Sequence, residues 1–202
     1  MSTVLLRGGV EVENPLELAL EFLTAYSGYE AADSSGPASF GESDLRRANR
    51  GGARISAAEI AAVVERRGEI ERALRSIDPE ASLADATSSV PWIPLTRLFD
   101  AFADIRGIGF SKMTKALHAK RPALIPMLDS VVQAYLTRDD ADPPTSGSYG
   151  ERATALVRSY KRDLDRNRPV LHEIQRGLAG RGYRLTEVRI LDVLIWSLSA
   201  AT

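Results

Sequence analysis

Helix punctuation constrains this chain more than any other feature. Ser56 and Glu59 stand three apart ahead of an apolar run, and Ser148 and Glu151 repeat the spacing. Each pair reads as a capping box, in which two side chains satisfy the free N–H groups of a helix start. Asn14, Pro15 and Glu17 give another start: a cap, a first-turn proline and an acid three residues after the cap. Apolar residues follow at helical spacing. Leu16, Ala19, Leu20, Leu23 and Tyr26 make one stripe, and Ile60, Val63, Val64, Ile70 and Leu74 make a second, on a single helix opened by Ser56. Leu95, Leu98, Phe99 and Phe102 make a third stripe.

A fourth helix is expected from Phe110 to Lys120, where Arg121-Pro122 stops it, and a fifth from near Asp129. A long basic helix runs from Ser148 to about Arg166, and Pro169 opens another that Gly180 or Gly182 ends. Thr186 caps the last, whose VRILDVLIWSL is apolar nearly all round and so reads as buried. Strand signals are confined to Val4–Val12 around Gly8-Gly9, a short β-hairpin or extended arm within residues 1–12. Residues 27–43, 80–94 and 137–148 read as loops. The expectation is one all-α domain over residues 1–202, a helical bundle of about seven or eight helices, built as one body or as two lobes around a cleft.

Composition removes several chemistries. The chain has no cysteine, which excludes disulfides, iron–sulfur clusters and thiolate metal sites. His118 and His172 have no paired ligand spacing, so no metal and no cofactor is expected. No apolar run has the length of a membrane span, and the N-terminus lacks a signal peptide's apolar stretch, so a cytoplasmic protein without a membrane partner is expected. The net charge is −1, but it is unevenly spread. Residues 1–44 carry eight acids against Arg7, residues 151–189 carry ten bases against five acids, and residues 106–121 carry Arg106, Lys112, Lys115, Lys120 and Arg121 with no acid. The last cluster is compact enough to suggest a basic face.

Gly107-Ile108-Gly109 lies inside that cluster, between two amphipathic helices, and residues 95–137 read as a helix-hairpin-helix with its following helix. Two glycines one apart permit a tight turn and leave N–H groups unshielded at a helix start, an arrangement that suits phosphate. Ile108 pins the turn. Ser111, Lys112 and Lys115 follow in the first turns of the second helix, within reach of neighbouring phosphates, so Gly107, Ile108, Gly109, Ser111, Lys112 and Lys115 form the expected DNA contact.

The segment GIGFSKMTKALHAKRPALIPMLDSVV resembles the core of the helix-hairpin-helix DNA glycosylase superfamily, which includes endonuclease III and the adenine glycosylases. The resemblance covers about 45 residues. It places the family's aspartate at Asp129, 20 residues past Gly109, with Pro126-Met127-Leu128 before it as in the adenine glycosylases. It implies a DNA-binding repair enzyme in which Asp129 is catalytic, stabilising the positive charge that grows on the sugar as an extruded base departs. The lysine nucleophile of the bifunctional members is replaced by Ser111, so the chemistry implied is monofunctional. Arg106 replaces the family's proline before the hairpin, and Met113 and Thr114 occupy the region of its usual small residue. KRPALIPMLDSVV followed by RILDVLIW is also similar to a family of bacterial proteins that is a domain of unknown function.

Other readings stand beside this one. Asp129 is equally an ordinary N-cap, and the two roles are compatible. Trp92 reads as core packing ahead of a base-stacking wedge, Asp44–Arg50 as a short solvated helix ahead of a phosphate clamp, and Arg189 with Asp192 as a structural pair at i, i+3 ahead of a site. Three functions remain open: a monofunctional glycosylase, a non-catalytic module that binds the backbone of duplex DNA, and a protein-interaction scaffold in which the hairpin is only a helix joint.

Overall fold

The computed structural model describes residues 3–25, 36–85, 89–138 and 146–200. Parts of the three expected loops, and Tyr26 of the first stripe, lie outside these residues. Among the described residues the chain is mostly helical. β1 (Val4–Leu5) pairs antiparallel with β2 (Glu11–Val12) across a turn at Arg7–Gly9, where Gly8 and Gly9 both have positive φ. Then come α1 (Pro15–Ala25), α2 (Glu42–Arg50), α3 (Ala57–Glu65), α4 (Arg67–Arg75), α5 (Trp92–Asp100), α6 (Phe110–His118), α7 (Ser130–Leu136), α8 (Tyr149–Ala179) and α9 (Glu187–Ala200). No described helix is long and apolar enough to cross a membrane.

The capping boxes open α3 and α8. Ser56 Oγ accepts the Glu59 N–H while Glu59 accepts the Ser56 N–H, and Ser148 with Glu151 does the same. Three boundaries differ from expectation. The single helix expected from Ser56 through Leu74 breaks at Arg66 (φ −88°, ψ 6°) into α3 and α4. The break re-aims the apolar face: Val63, Ile70 and Leu74 are buried, whereas Val64 is 36% exposed. The two helices expected on either side of Pro169 are one, α8. Proline removes the bond to the carbonyl four residues back, but Asp165 and Pro169 are both exposed, so water can satisfy that carbonyl. α5 begins at Trp92, three residues early, with Pro94 in its first turn, where a missing N–H costs nothing.

The core is one apolar cluster running from Val4 to Ile195. α5 and α8 pack closely because Gly150 has no side chain. A Cβ there would lie 2.2 Å from the Thr96 carbonyl oxygen, and its N–H donates to Asp100 Oδ1 at 2.6 Å. α9 packs against α1, α7 and α8, and Val188–Ile195 are all buried. α6 is buried from Met113 through His118, between α2 and the segment that leads to α7.

Candidate functional site

The hairpin turn at Gly107 needs glycine. Its φ is +84°, and a Cβ would lie 2.0 Å from Glu59 Oε1. Gly109 precedes α6 with extended backbone and no side-chain cap, and Ile108 is buried. Glu59 reaches across from α3 and pairs with Lys112 at 2.7 Å, a contact that holds the Glu59 carboxyl below its usual range. The hairpin turn and Lys112 therefore face an acid.

The run 106–121 does not form the expected basic face, because α6 is buried on nearly every side. Lys120 pairs with Asp44 at 2.6 Å, both side chains fully buried. Arg121 is 1% exposed and donates to the carbonyls of Pro37, Leu74 and Ile77, closing the C-terminal end of α4. Lys115 is 8% exposed, donates to the Gly51 carbonyl at 3.1 Å and lies 3.5 Å from Asp129. Arg106 is exposed.

Asp129 caps α7. Its Oδ1 accepts the Val131 and Val132 N–H groups, each at 3.1 Å, and its Oδ2 accepts the Trp196 indole N–H at 2.7 Å. Two helices position the approach to it. Thr114 Oγ1 on α6 accepts the Leu128 N–H at 2.9 Å, and Asp192 Oδ2 on α9 accepts the Met127 N–H at 3.1 Å. Burial pushes the Asp192 carboxyl up to about 7 and the His118 ring down to about 3. The neutral ring donates from Nδ1 to the Ile125 carbonyl at 2.6 Å, fixing the turn before Pro126.

Ser111, Lys115 and Asp129 meet at one cavity of about 590 Å³, with Ser130, Phe22 and Trp196 in its wall. Arg50, Arg54 and Arg189 also line it. Gly107, Ile108, Gly109 and Lys112 do not. The expected site thus divides into a cavity group around Asp129 and a hairpin group against Glu59. A cavity of this size with two aromatic side chains, four cations and one carboxylate suits a planar, anionic ligand.

Trp196, Phe22 and Arg54 carried no sequence-based expectation, and Arg50 and Arg189 were expected in structural roles rather than at this site. A signal for α9 was present. Arg189, Asp192 and Trp196 are spaced three and four apart in an otherwise apolar helix, which puts them on one face. They reach Met127 Sδ (3.7 Å), the Met127 N–H and Asp129 in turn. Arg189 also stands 5.9 Å from the Phe22 ring. Trp92 packs against the core as expected, with Arg158 4.2 Å over its ring.

Among curated proteins and among solved structures, nothing matches this chain. A family pattern does match, over residues 21–199, nearly the whole length and all of the cavity wall just described. The chain therefore belongs to DUF6308, a family of unknown function.

Proposed function

We propose that the protein binds duplex DNA, takes one nucleotide out of the helix into the Asp129 cavity, and hydrolyses its glycosidic bond. The observation that carries this reading is the meeting of Asp129 with Ser111 and Lys115 of α6 in one aromatic-walled cavity. The C1′–N bond breaks with its electron pair leaving on the base. Water supplies a hydroxyl to C1′ and a proton to the base. Positive charge grows on the sugar meanwhile, and a fixed carboxylate lowers that barrier most at the transition state. Asp129 is held for this by two backbone N–H groups and an indole N–H, so it need not reorganise as the charge develops. Phe22 and Trp196 offer faces for an unstacked base.

A second reading has its own observation. Glu59 occupies the hairpin turn and neutralises Lys112, which favours a hairpin that only joins two helices in a protein-interaction scaffold. A fluorescence-anisotropy titration separates the two, using a plain duplex and one carrying an abasic-site analogue at two salt concentrations. The glycosylase reading expects tighter, salt-sensitive binding to the abasic duplex. It also expects base release that Asp129→Asn abolishes without loss of binding. Salt-sensitive binding without preference leaves a backbone-binding module, and no binding to either duplex leaves the scaffold.

A further inference from the structure

The end of α2 and the turn after it, Arg50-Gly51-Gly52-Ala53-Arg54, supply two of the cavity's four cations. The other two are engaged: Lys115 with Gly51 and Asp129, and Arg189 with Met127 and Phe22. The side chains of Arg50 and Arg54 are exposed and make no hydrogen bond or ion pair among the described residues. Their backbone is nevertheless tightly held. The Ala53 N–H donates to the Ala48 carbonyl at 3.1 Å. Asn49 brackets Ile55, accepting its N–H at 2.6 Å and donating to its carbonyl at 2.8 Å. Lys115 donates to Gly51 from the cavity side. Gly52 has φ +77°, and Arg54 has φ +56°, a conformation that an arginine rarely adopts. The chain thus holds an arginine in an unfavourable backbone state at a cavity mouth. Such outliers persist where surrounding structure enforces them, and they gather at ligand sites.

We infer that the Arg50–Arg54 segment is the phosphate-binding rim of the Asp129 cavity, gripping the phosphate of a nucleotide whose base enters between Phe22 and Trp196. Two guanidinium groups suit this task because each presents a planar fork that matches phosphate oxygens. The inference rests on the reading that the cavity takes a nucleotide, and it holds for a free nucleotide as for one within DNA.

The test uses the full chain with Trp92→Phe, so that fluorescence reports Trp196 alone. The probes are deoxyadenosine 5′-monophosphate, deoxyadenosine and inorganic phosphate. The monophosphate is expected to quench Trp196 at a concentration about tenfold or more below that needed for deoxyadenosine, as loss of charge-assisted bonds requires. Inorganic phosphate should compete weakly with the monophosphate. Arg50→Ala/Arg54→Ala should erase the preference for the monophosphate without moving the melting temperature. Arg46→Ala, an exposed α2 change outside the cavity, should leave the preference intact. Equal binding of nucleotide and nucleoside, a preference that survives the double variant, or no binding of any probe would overturn the inference. Duplex titrations of the same proteins separate it from the functional reading. If the double variant keeps abasic-duplex affinity and base release, the rim fails and the glycosylase reading stands. If wild type ignores duplexes while the double variant loses the monophosphate preference, the rim stands and the duplex reading fails.

Discussion

Asp163 and Asp129 each sit beside a buried cation where helices meet, yet their surroundings are opposite. At Asp163 the buried partner is Arg7, with Nε 2.6 Å from Oδ2 and side chains 4% and 0% exposed, while the half-exposed Arg166 lies 3.4 Å from Oδ1. The rest of that guanidinium is committed to the Leu136 carbonyl and to Ser159, both its carbonyl (3.0 Å) and its hydroxyl (2.7 Å). Asn167 then closes the edge of β1 by bonding both polar groups of Leu5. This knot fastens the β-hairpin to α7 and α8 and seals Arg7 from water. At Asp129 the cation is 3.5 Å away, the carboxylate faces a cavity, and two further arginines stand at the rim with no partner among the described residues. Similar ingredients give a clamp in one place and a receptive surface in the other. What decides between them is whether the cation's donors are used up by carbonyls.

The largest effect separates the two carboxylates by stability. Asp163→Ala leaves Arg7 charged and sealed from water, and removing one partner of such a pair costs about 3–5 kcal/mol. Urea unfolding should show the loss in midpoint with little change in slope. If the cavity takes a nucleotide as proposed, its binding by the folded fraction should be unchanged. A loss below about 1 kcal/mol would mean that water reaches the knot.

Asp129→Ala is expected to cost far less, about 1 kcal/mol, the ordinary value of an N-cap, because Lys115 borders the cavity and gains solvent there. Asp129→Asn keeps the cap but sets an amide NH2 against the Trp196 N–H and removes the charge beside Lys115, so its cost should be similar. On the glycosylase reading, both should abolish base release. A loss for Asp129→Ala as large as that for Asp163→Ala would make Asp129 a second clamp and end the contrast.

The helices were legible where local chemistry decides them, and the site only in part. Ser56, Ser148 and Asp129 could be read as helix starts because a cap is settled within three or four residues. The α3–α4 break and the continuity of α8 through Pro169 were not readable, because burial on one side and solvent on the other decided them. Asp129 became a candidate through the family resemblance, which puts the aspartate 20 residues past Gly109, and its place in the cavity wall comes from the fold. The inward turn of Lys115, Lys120 and Arg121 was not, since their partners Asp129, Asp44 and the α4 carbonyls come from other elements. Charge along a sequence does not tell which side of a helix meets water. Arg50 and Arg54 are a milder case. They flank two glycines, but only their position opposite α7 and α9 makes them a rim.

The smallest effect concerns titration beside the Ile125–Met127 segment, where α6 and α9 hold two buried groups of opposite tendency. Asp192 is raised from 3.8 to about 7, chiefly by burial, with Arg189 opposing the shift. Below about 3.8 it is protonated in both folded and unfolded chains. Between about 3.8 and 7 the folded chain holds a proton that the unfolded chain has lost, so stability falls as pH rises. His118 is lowered from 6.5 to about 3, again chiefly by burial, with Arg189 adding to the shift. Between about 3 and 6.5 the unfolded chain holds the extra proton, so stability falls as pH drops. The two contributions oppose each other from about pH 4 to 6.5, and this pair should leave the wild-type stability nearly flat there. Asp192→Asn removes one arm, so stability should rise with pH over that window by up to about 1 kcal/mol per unit. His118→Asn keeps a donor for Ile125 and removes the other arm, so its stability should fall with pH instead. Urea midpoints at several pH values read both slopes. A flat profile in either variant would mean that the remaining group keeps its ordinary value and that water reaches it.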